Sequence, residues 1–448
     1  MSRSKRSKAR TTVRIAGVAL GLASAGFGML HRFRVRKTDE SALSAPKMIA
    51  GAISPYAAAA GITGALLGLV TGSPVAVAAG VWGAKRSWDY VSRICATQGD
   101  FARAFGPEWQ APFELHRNAY TLAGRWTWRP PEPPEPVWER DMVFWTLPAT
   151  ETAPERPLLC DIWQPPETIT RSGLAVIYFH GSGWHFLDKD VGTRPMFRHL
   201  ASQGHVVMDV AYRLCPEVAW QEMAGDPRRA VAWLKDHAVD YGVDPERIVL
   251  AGGSAGGQLA LLTAYAPVHS DLTPDDVAGA DLSVRGVVSW YGPTDMRVYY
   301  RHAGVPFNMP VTDQGASSQI SDRIMSLLGF KLELPECWES GQTIQEAMMH
   351  GLLGGTPDQV HDAYRLFSPV EHVSSHCPPT LLLQGEHDMI TSADAVRAMA
   401  RKLEAAGVPV VHVQYPQTEH AFDLLLPRIS PPAQAAFYEL DRFLGMLV

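Results

Sequence analysis

The sequence predicts an α/β protein whose mainly parallel sheet is covered by helices on both faces and is preceded by an apolar helical region. From about residue 137, short apolar and β-branched runs alternate with stretches of helical periodicity, as expected for strands buried on both faces. Upstream, residues 48–84 contain no charged side chain. A single helix needs only about 20 apolar residues to cross a bilayer.

The composition is that of one large domain with an added segment. The chain has 448 residues, 46% of them hydrophobic, which is enough for one large core and an N-terminal extension. The formal net charge is only −6 and the clustered basic residues lie near the N-terminus, so we expect no nucleic-acid partner. The five cysteines are widely spaced, and a disulfide framework or cysteine-rich metal site is not expected.

Residues 1–129 predict a membrane-anchoring region. A basic segment, residues 1–14, precedes an apolar run at residues 15–30, which is the outline of a membrane anchor or of a signal peptide cleaved near Ala25. The uncharged run at 48–84 predicts a two-helix hairpin, because Gly72-Ser73-Pro74 favours a tight turn and its Gly and Ala residues suit close helix contacts in lipid. The alternative is an Ala-rich hairpin buried against the α/β domain that follows. We expect a membrane location, with the side open because basic residues flank both runs.

A proline-rich stretch, residues 130–136, predicts an extended linker. The aromatic-rich residues 101–128 before it are typical either of a membrane-interface belt or of packing against the next domain. That next domain is predicted to span residues 137–448, with residues 297–366 as a cap-like insertion. Its clearest predicted strands and helices are Leu174–Phe179, Val206–Val210, Ile248–Ala251, Gly286–Trp290, Thr380–Gln384, Val410–Val413, Gly225–His237 and Ala393–Ala406.

The sequence around Ser254 predicts a nucleophile. Gly252-Gly253-Ser254-Ala255-Gly256 lies between a predicted strand and a predicted helix. In this G-x-S-x-G context, small residues allow a sharp turn that lifts the serine hydroxyl above the sheet. A serine becomes nucleophilic only when a base accepts its proton, and its oxyanion requires prearranged N–H donors.

A second glycine-rich turn supplies candidate donors. His180-Gly181-Ser182-Gly183-Trp184 follows a predicted strand, in the place of an HGGG-type loop. We expect the backbone N–H groups of Ser182, Gly183 and Ala255 to form the oxyanion hole. We expect His180 to hold the shape of the loop.

Chain order predicts the base and the acid, because an acid and then a histidine must follow the serine. Asp388 lies just after a predicted strand. Glu386 and His387 are nearby rivals, and Glu386 is the rival for the acid role. Of the 16 histidines, His412 and His420 lie downstream of the acid. Because His412 falls inside a strand, His420 is the predicted base.

Five motifs, in this order, resemble the hormone-sensitive-lipase-like branch of the α/β-hydrolases. The likeness covers roughly residues 137–448, and residues 1–130 lie outside it. The resemblance implies the α/β-hydrolase fold and ester hydrolysis through an acyl-enzyme, without a metal or organic cofactor. Ser182 stands where that branch usually has glycine, from which we expect a narrower acyl pocket or a changed specificity, with activity retained. The motifs are His180–Trp184, Tyr212–Glu217, the Ser254 turn, Gly385–Asp388 and His420–Phe422.

The resulting expectation is a serine esterase or lipase with catalytic Ser254, Asp388 and His420, acting on small-molecule or lipid esters. Alternatives on the same fold are a peptidase or amidase and a lipid-linked methylesterase. A non-enzymatic receptor on this fold would usually have lost Ser254 or His420.

Overall fold

The computed structural model describes residues 3–37, 40, 43–149, 154–307 and 343–448. Part of the predicted cap, residues 308–342, therefore lies outside the described residues. The strands are β1 Val137–Leu147, β2 Arg156–Gln164, β3 Ala175–Phe179, β4 Val206–Ala211, β5 Ile248–Gly253, β6 Gly286–Trp290, β7 Thr380–Gly385 and β8 Val410–Tyr415.

The described helices fall into an N-terminal set and a set that covers the sheet. The N-terminal set is α1 Arg3–Leu30, α2 Ser44–Ala52, α3 Ser54–Thr71, α4 Pro74–Ala96, α5 Phe101–Phe105 and α6 Gln110–His116. The second set is α7 Arg194–Ser202, α8 Trp220–Asp236, α9 Ala255–Tyr265, α10 Met296–Phe307, α11 Ile344–Leu353, α12 His361–Leu366, α13 Ala393–Ala405 and α14 Pro431–Gly445.

The eight strands form one sheet in the order β1-β2-β4-β3-β5-β6-β7-β8. Strands β3 to β8 pair in parallel, while β2 is antiparallel to both neighbours, β1 and β4. The six predicted strands are confirmed, and β1 and β2 are additional. β1 lies at the sheet edge with mostly exposed or half-buried residues, so its sequence lacks the continuous apolar run that marks a buried strand.

Both faces of the sheet are buried. In β5, Ile248 and Leu250 pack on the side of α8, α9 and α13, whereas Val249 and Ala251 pack on the side of α7 and α14. This alternation follows from the two-residue period of a strand. Because the parallel strands end at one edge, the loops after β3, β5, β7 and β8 meet there.

Three long helices, α1, α3 and α4, pack together ahead of the sheet. The predicted turn between α3 and α4 is confirmed, since Gly72 has φ +71°, the Ser73 hydroxyl accepts from the Ala76 amide and Pro74 begins α4. Within the described part of the chain, two helical segments are long and apolar enough to span a membrane, Ser7–Leu30 and Ser54–Thr71. A signal sequence or the core helix of a soluble protein would meet the same criterion.

The segment between the helices and the sheet contacts the sheet domain. Phe101 and Phe113 are buried, Trp126 Nε1 donates to the Ile429 carbonyl at 3.2 Å, and Arg198 donates to the Pro133 carbonyl at 3.2 Å. For Phe101 and Phe113, packing is thus the observed arrangement. The domain division at residues 130–136 stays a prediction.

Candidate active site

Ser254 lies on a sharp turn between β5 and α9. Its φ of 53° and ψ of −121° form a strained backbone conformation that presents the side chain at the sheet edge. The turn leaves no room for side chains beside it: a Cβ on Gly252 would lie 2.4 Å from the carbonyl carbon of Gly256, and one on Gly256 would lie 2.0 Å from the oxygen of Phe179. The glycines of the G-x-S-x-G motif are therefore required by close backbone contact.

The structure brings the three predicted catalytic side chains together. His420 Nε2 lies 3.0 Å from Ser254 Oγ, and His420 Nδ1 lies 2.8 Å from Asp388 Oδ2. A carboxylate can only accept, so Nδ1 carries the proton of a neutral imidazole and Nε2 is left to accept from the serine hydroxyl. Residues from the ends of β5, β7 and β8 thus form one chain of hydrogen bonds.

The Asp388 carboxylate is held in place by three further donors. The amides of Ile390 and Thr391 donate to Oδ1, both at 2.8 Å, and the Gln384 side chain donates to Oδ2 at 2.9 Å. These bonds orient the oxygen that faces His420. Sequence reasoning missed Gln384, whose only signal is a polar residue inside an otherwise apolar strand.

The rival residues point elsewhere. Glu386 Oε2 accepts from the Gln417 amide at 2.8 Å. His387 contacts the N-terminal region, with Nδ1 2.7 Å from Lys47 Nζ. Of the two candidate acids, Asp388 is the one hydrogen-bonded to His420.

The predicted oxyanion loop packs directly on the serine turn. A Cβ on Gly181 would lie 3.4 Å from the Cβ of Ser254. Among the described residues, the Ser182 and Gly183 amides donate no backbone hydrogen bond, and no side chain caps α9, which begins at Ala255. These three N–H groups are the ones predicted to receive an oxyanion, and their role stays a prediction.

The Ser182 side chain is bonded within the loop, and its expected effect on the acyl pocket or on specificity stays a prediction. Its buried hydroxyl lies 2.5 Å from Tyr212 Oη and accepts from the Trp184 amide at 2.9 Å. Tyr212 in turn donates to the His180 carbonyl at 2.8 Å. Ser182 therefore ties the loop to its support.

His180 lies within the same support, as expected. Its ring stacks on Tyr212 with centroids 4.4 Å apart. Burial lowers the pKa of His180 to about 4, so the ring is neutral near pH 7 and suited to packing.

The described part of the predicted cap lies against this loop. A Cβ on Gly183 would lie 3.1 Å from Met348 Cε, and His185 Nε2 lies 2.9 Å from the Met348 carbonyl oxygen. α11, which carries Met348, thus forms a wall beside the predicted oxyanion donors.

The sequence did not indicate that Tyr291 and Asp423 contact each other beside His420. The Tyr291 ring lies 4.4 Å from the His420 ring between centroids, and its hydroxyl donates to the buried Asp423 carboxylate. Burial raises the pKa of Asp423 to about 6. Tyr291 has φ 43°, and no sequence pattern indicated its contact with Asp423.

Comparison with known proteins agrees with this architecture. Residues 160–333 match the family model BD-FAE, and residues 332–424 match the model described as the alpha/beta hydrolase fold. Together the two matches cover residues 160–424, and they agree with an α/β-hydrolase fold for this region.

Two of the relatives to which the chain is similar are mycobacterial ester hydrolases. The chain is 29% identical over 268 residues to the probable carboxylic ester hydrolase LipM of Mycobacterium tuberculosis, covering 59% of this chain and 53% of that protein. It is 26% identical to esterase LipQ of the same organism, covering 59% and 54%. The chain thus spans about half the length of these two relatives. Among solved structures, an esterase of Pyrobaculum calidifontis is similar with a TM-score of 0.48 at 24% identity, covering 70% of this chain and 86% of that one.

Proposed function

We propose that this protein is a serine carboxylic-ester hydrolase with Ser254 as nucleophile, His420 as base and Asp388 as orienting acid. The observation that carries the proposal is the hydrogen-bonded chain from Ser254 Oγ through both nitrogens of His420 to Asp388. Ser254, at the start of this series of hydrogen bonds, lies on a strained strand-to-helix turn. The similarity to a probable carboxylic ester hydrolase and to an esterase supports the same reaction class.

The reaction would proceed in two halves. His420 Nε2 takes the proton of Ser254 as Oγ attacks the ester carbonyl, and Asp388 stabilises the imidazolium. The backbone N–H groups of Ser182, Gly183 and Ala255 would donate to the oxyanion. His420 then protonates the leaving alcohol, and a water molecule activated by His420 releases the acid and regenerates Ser254.

We further propose that the α1, α3 and α4 bundle anchors the protein to a lipid bilayer, and that hydrophobic or lipid esters are the substrates. Outward-facing Leu22, Leu66 and Val70 are exposed, whereas glycines line the helix contacts. That arrangement suits lipid, where helices associate through small residues. The proposed substrate class follows from this location, because an active site held at a bilayer encounters lipids and other hydrophobic esters.

The first test is labelling of the full chain in detergent with a fluorophosphonate probe, followed by turnover of p-nitrophenyl esters of increasing acyl length. Ser254→Ala should lose labelling, and its kcat should fall by roughly 10⁴-fold or more. Asp388→Asn should also lower kcat by several orders of magnitude, whereas its matched control Glu386→Gln should retain most activity.

Either of two results would contradict the proposal. One is a folded wild-type protein that is not labelled. The other is labelling that persists in Ser254→Ala, which would place the nucleophile elsewhere.

A further inference from the structure

Lys47, in the N-terminal helix α2, buries its ammonium group between the two loops that carry Asp388 and His420. Its Nζ lies 2.7 Å from Glu419 Oε1 and 2.7 Å from His387 Nδ1. The side chains of Lys47 and Glu419 are each only 2% exposed. A residue outside the family's catalytic motifs is thus in contact with both catalytic loops.

The two contacts fall immediately beside the predicted acid and base. His387 precedes Asp388, and Glu419 precedes His420. The loops also touch each other, since the His387 amide donates to the Thr418 carbonyl at 2.9 Å. A movement of either contact residue therefore shifts the neighbouring catalytic side chain, and a displacement of about 1 Å can cost roughly 100-fold in rate.

The charges explain why Lys47 can occupy this place. Burial lowers the pKa of the Lys47 ammonium and raises that of the Glu419 carboxyl, and the attraction between the two opposes both shifts. Burial and the Lys47 charge lower the pKa of His387 to about 4. His387 is therefore neutral near pH 7, and its Nδ1 accepts from the ammonium. Without Lys47, the buried Glu419 would lose its counter-ion.

Other parts of the N-terminal region reach the same loops. Tyr90 Oη, from α4, lies 3.0 Å from Thr418 Oγ1. The Phe33 carbonyl oxygen, just beyond α1, lies 3.2 Å from His387 Nδ1, a contact without a hydrogen bond because Nδ1 accepts from Lys47. The loops that carry the acid and the base therefore rest on the N-terminal helices.

We propose that Lys47 is a positioning residue for the Ser254–His420–Asp388 triad, joining the N-terminal region to the geometry of catalysis. This inference rests on the proposed function, because it concerns the rate of that same site. Lys47 acts through Glu419 and His387 and does not touch the substrate.

The test uses the full chain in detergent with active sites counted by fluorophosphonate titration, so that kcat is expressed per reactive site. Lys47→Met, which keeps the length of the side chain, should lower kcat per site by roughly 10- to 100-fold with KM within about two-fold of wild type. Glu419→Gln should lower kcat in the same direction. The Lys47→Met/Glu419→Gln double variant should lose less than the product of the two single losses, because the residues act as a unit.

Lys85→Met is the matched control, since Lys85 lies in α4, is 68% exposed and pairs with Asp89. It should leave kcat per site unchanged. If Lys47→Met lowers only the number of titratable sites, and the remaining sites turn over at the wild-type rate, Lys47 is a folding residue and the inference fails. If Lys47→Met gives no titratable protein, the Glu419→Gln variant decides instead. A kcat per site equal to the wild-type value in Glu419→Gln also contradicts the inference. Failure of the proposed function is a different result, since the wild-type protein would then not be titrated.

Discussion

The sheet domain and the N-terminal bundle arrange large and small side chains in opposite ways. The sheet domain buries large residues such as Trp290 and Phe179. The bundle buries glycines, and a Cβ on Gly80 would lie 2.4 Å from the Gly61 carbonyl oxygen. On α3 the large residues face outward, with Leu66 57% exposed. In water, elements pack together because apolar surface is buried. In lipid, helices associate through close van der Waals contact, which small residues allow.

The two regions also differ in buried charge. The sheet domain buries Asp388, Asp423 and Arg228, while residues 48–84 have no charged side chain. A change of pH should therefore act mainly on the sheet domain and on the loops beside it. Substitutions that change the size or polarity of a side chain should also affect stability differently in the two regions.

The largest expected effect is at the serine turn. Gly256→Ala should destabilise the sheet domain by more than about 4 kcal/mol, because its Cβ would lie 2.0 Å from the Phe179 oxygen. The neighbouring Gly253→Ala is the control, since its Cβ would first meet a tyrosine hydroxyl at 3.2 Å. Fluorophosphonate titration and thermal unfolding should show little reactive protein for the first variant and a much smaller loss for the second. Equal losses would show that backbone contact is not what selects glycine there.

The next effect concerns Asp423 and pH. Its pKa is raised from 3.8 to about 6 in the folded protein. Between these values the folded state keeps a proton that the unfolded state has released, so this group makes stability fall as pH rises from about 4 to 6. Asp423→Asn removes that dependence. The stability of the variant relative to wild type should therefore increase by up to about 3 kcal/mol across this interval.

Thermal unfolding of both proteins at pH 4, 5, 6 and 7 measures this difference. A constant difference across the series would show that Asp423 ionises normally in the folded protein. Residues 48–84, which include Gly83, offer the comparison because they contain no charged side chain. Gly83→Ala should accordingly have a stability effect that does not change over the same interval.

A smaller effect is expected inside the bundle. A Cβ on Gly83 would lie 2.4 Å from the Ala25 amide nitrogen, whereas one on Gly26 would meet no atom within 4 Å. Gly83→Ala should destabilise the bundle by roughly 1–3 kcal/mol through overpacking. Gly26→Ala should be neutral or stabilising, because alanine favours helix by about 1 kcal/mol. Thermal unfolding in detergent, with proteolysis of the bundle as a second measurement, compares the two; equal stabilities would contradict the close contact between α1 and α4 at Gly83.

The sequence alone predicted the central sheet and the positions of Ser254, Asp388 and His420, because each signal is local. Ser254 lies in a turn with required glycines, and the other two residues follow buried strands in the chain order of the fold. Edge strand β1 escaped because only one part of it is buried, which weakens its apolar pattern.

The contacts around the site could not be read from the chain. Lys47 lies 372 residues before Glu419, and nothing near either residue indicates the other. The hydroxyl of Ser182 is hydrogen-bonded to Tyr212, which lies in another loop, and no pattern near Ser182 indicates that contact. Gln384 and Asp423 likewise acquire their contacts only when separate loops meet.

The smallest expected effect tests what surrounds the bundle. Leu66, Leu69 and Val70 are exposed on α3, and Val239 and Val268 are similarly exposed on the sheet domain. If lipid covers the bundle, changing the first three to serine should weaken membrane association by at least roughly 0.5 kcal/mol per residue, whereas Val239→Ser/Val268→Ser should not. The measurement is the fraction that remains with membranes after alkaline extraction. Release of the wild-type chain from membranes would contradict the proposed anchor. The outer face of α3 would then be exposed to water, and serine substitutions there would have little effect on stability because no apolar contact is lost.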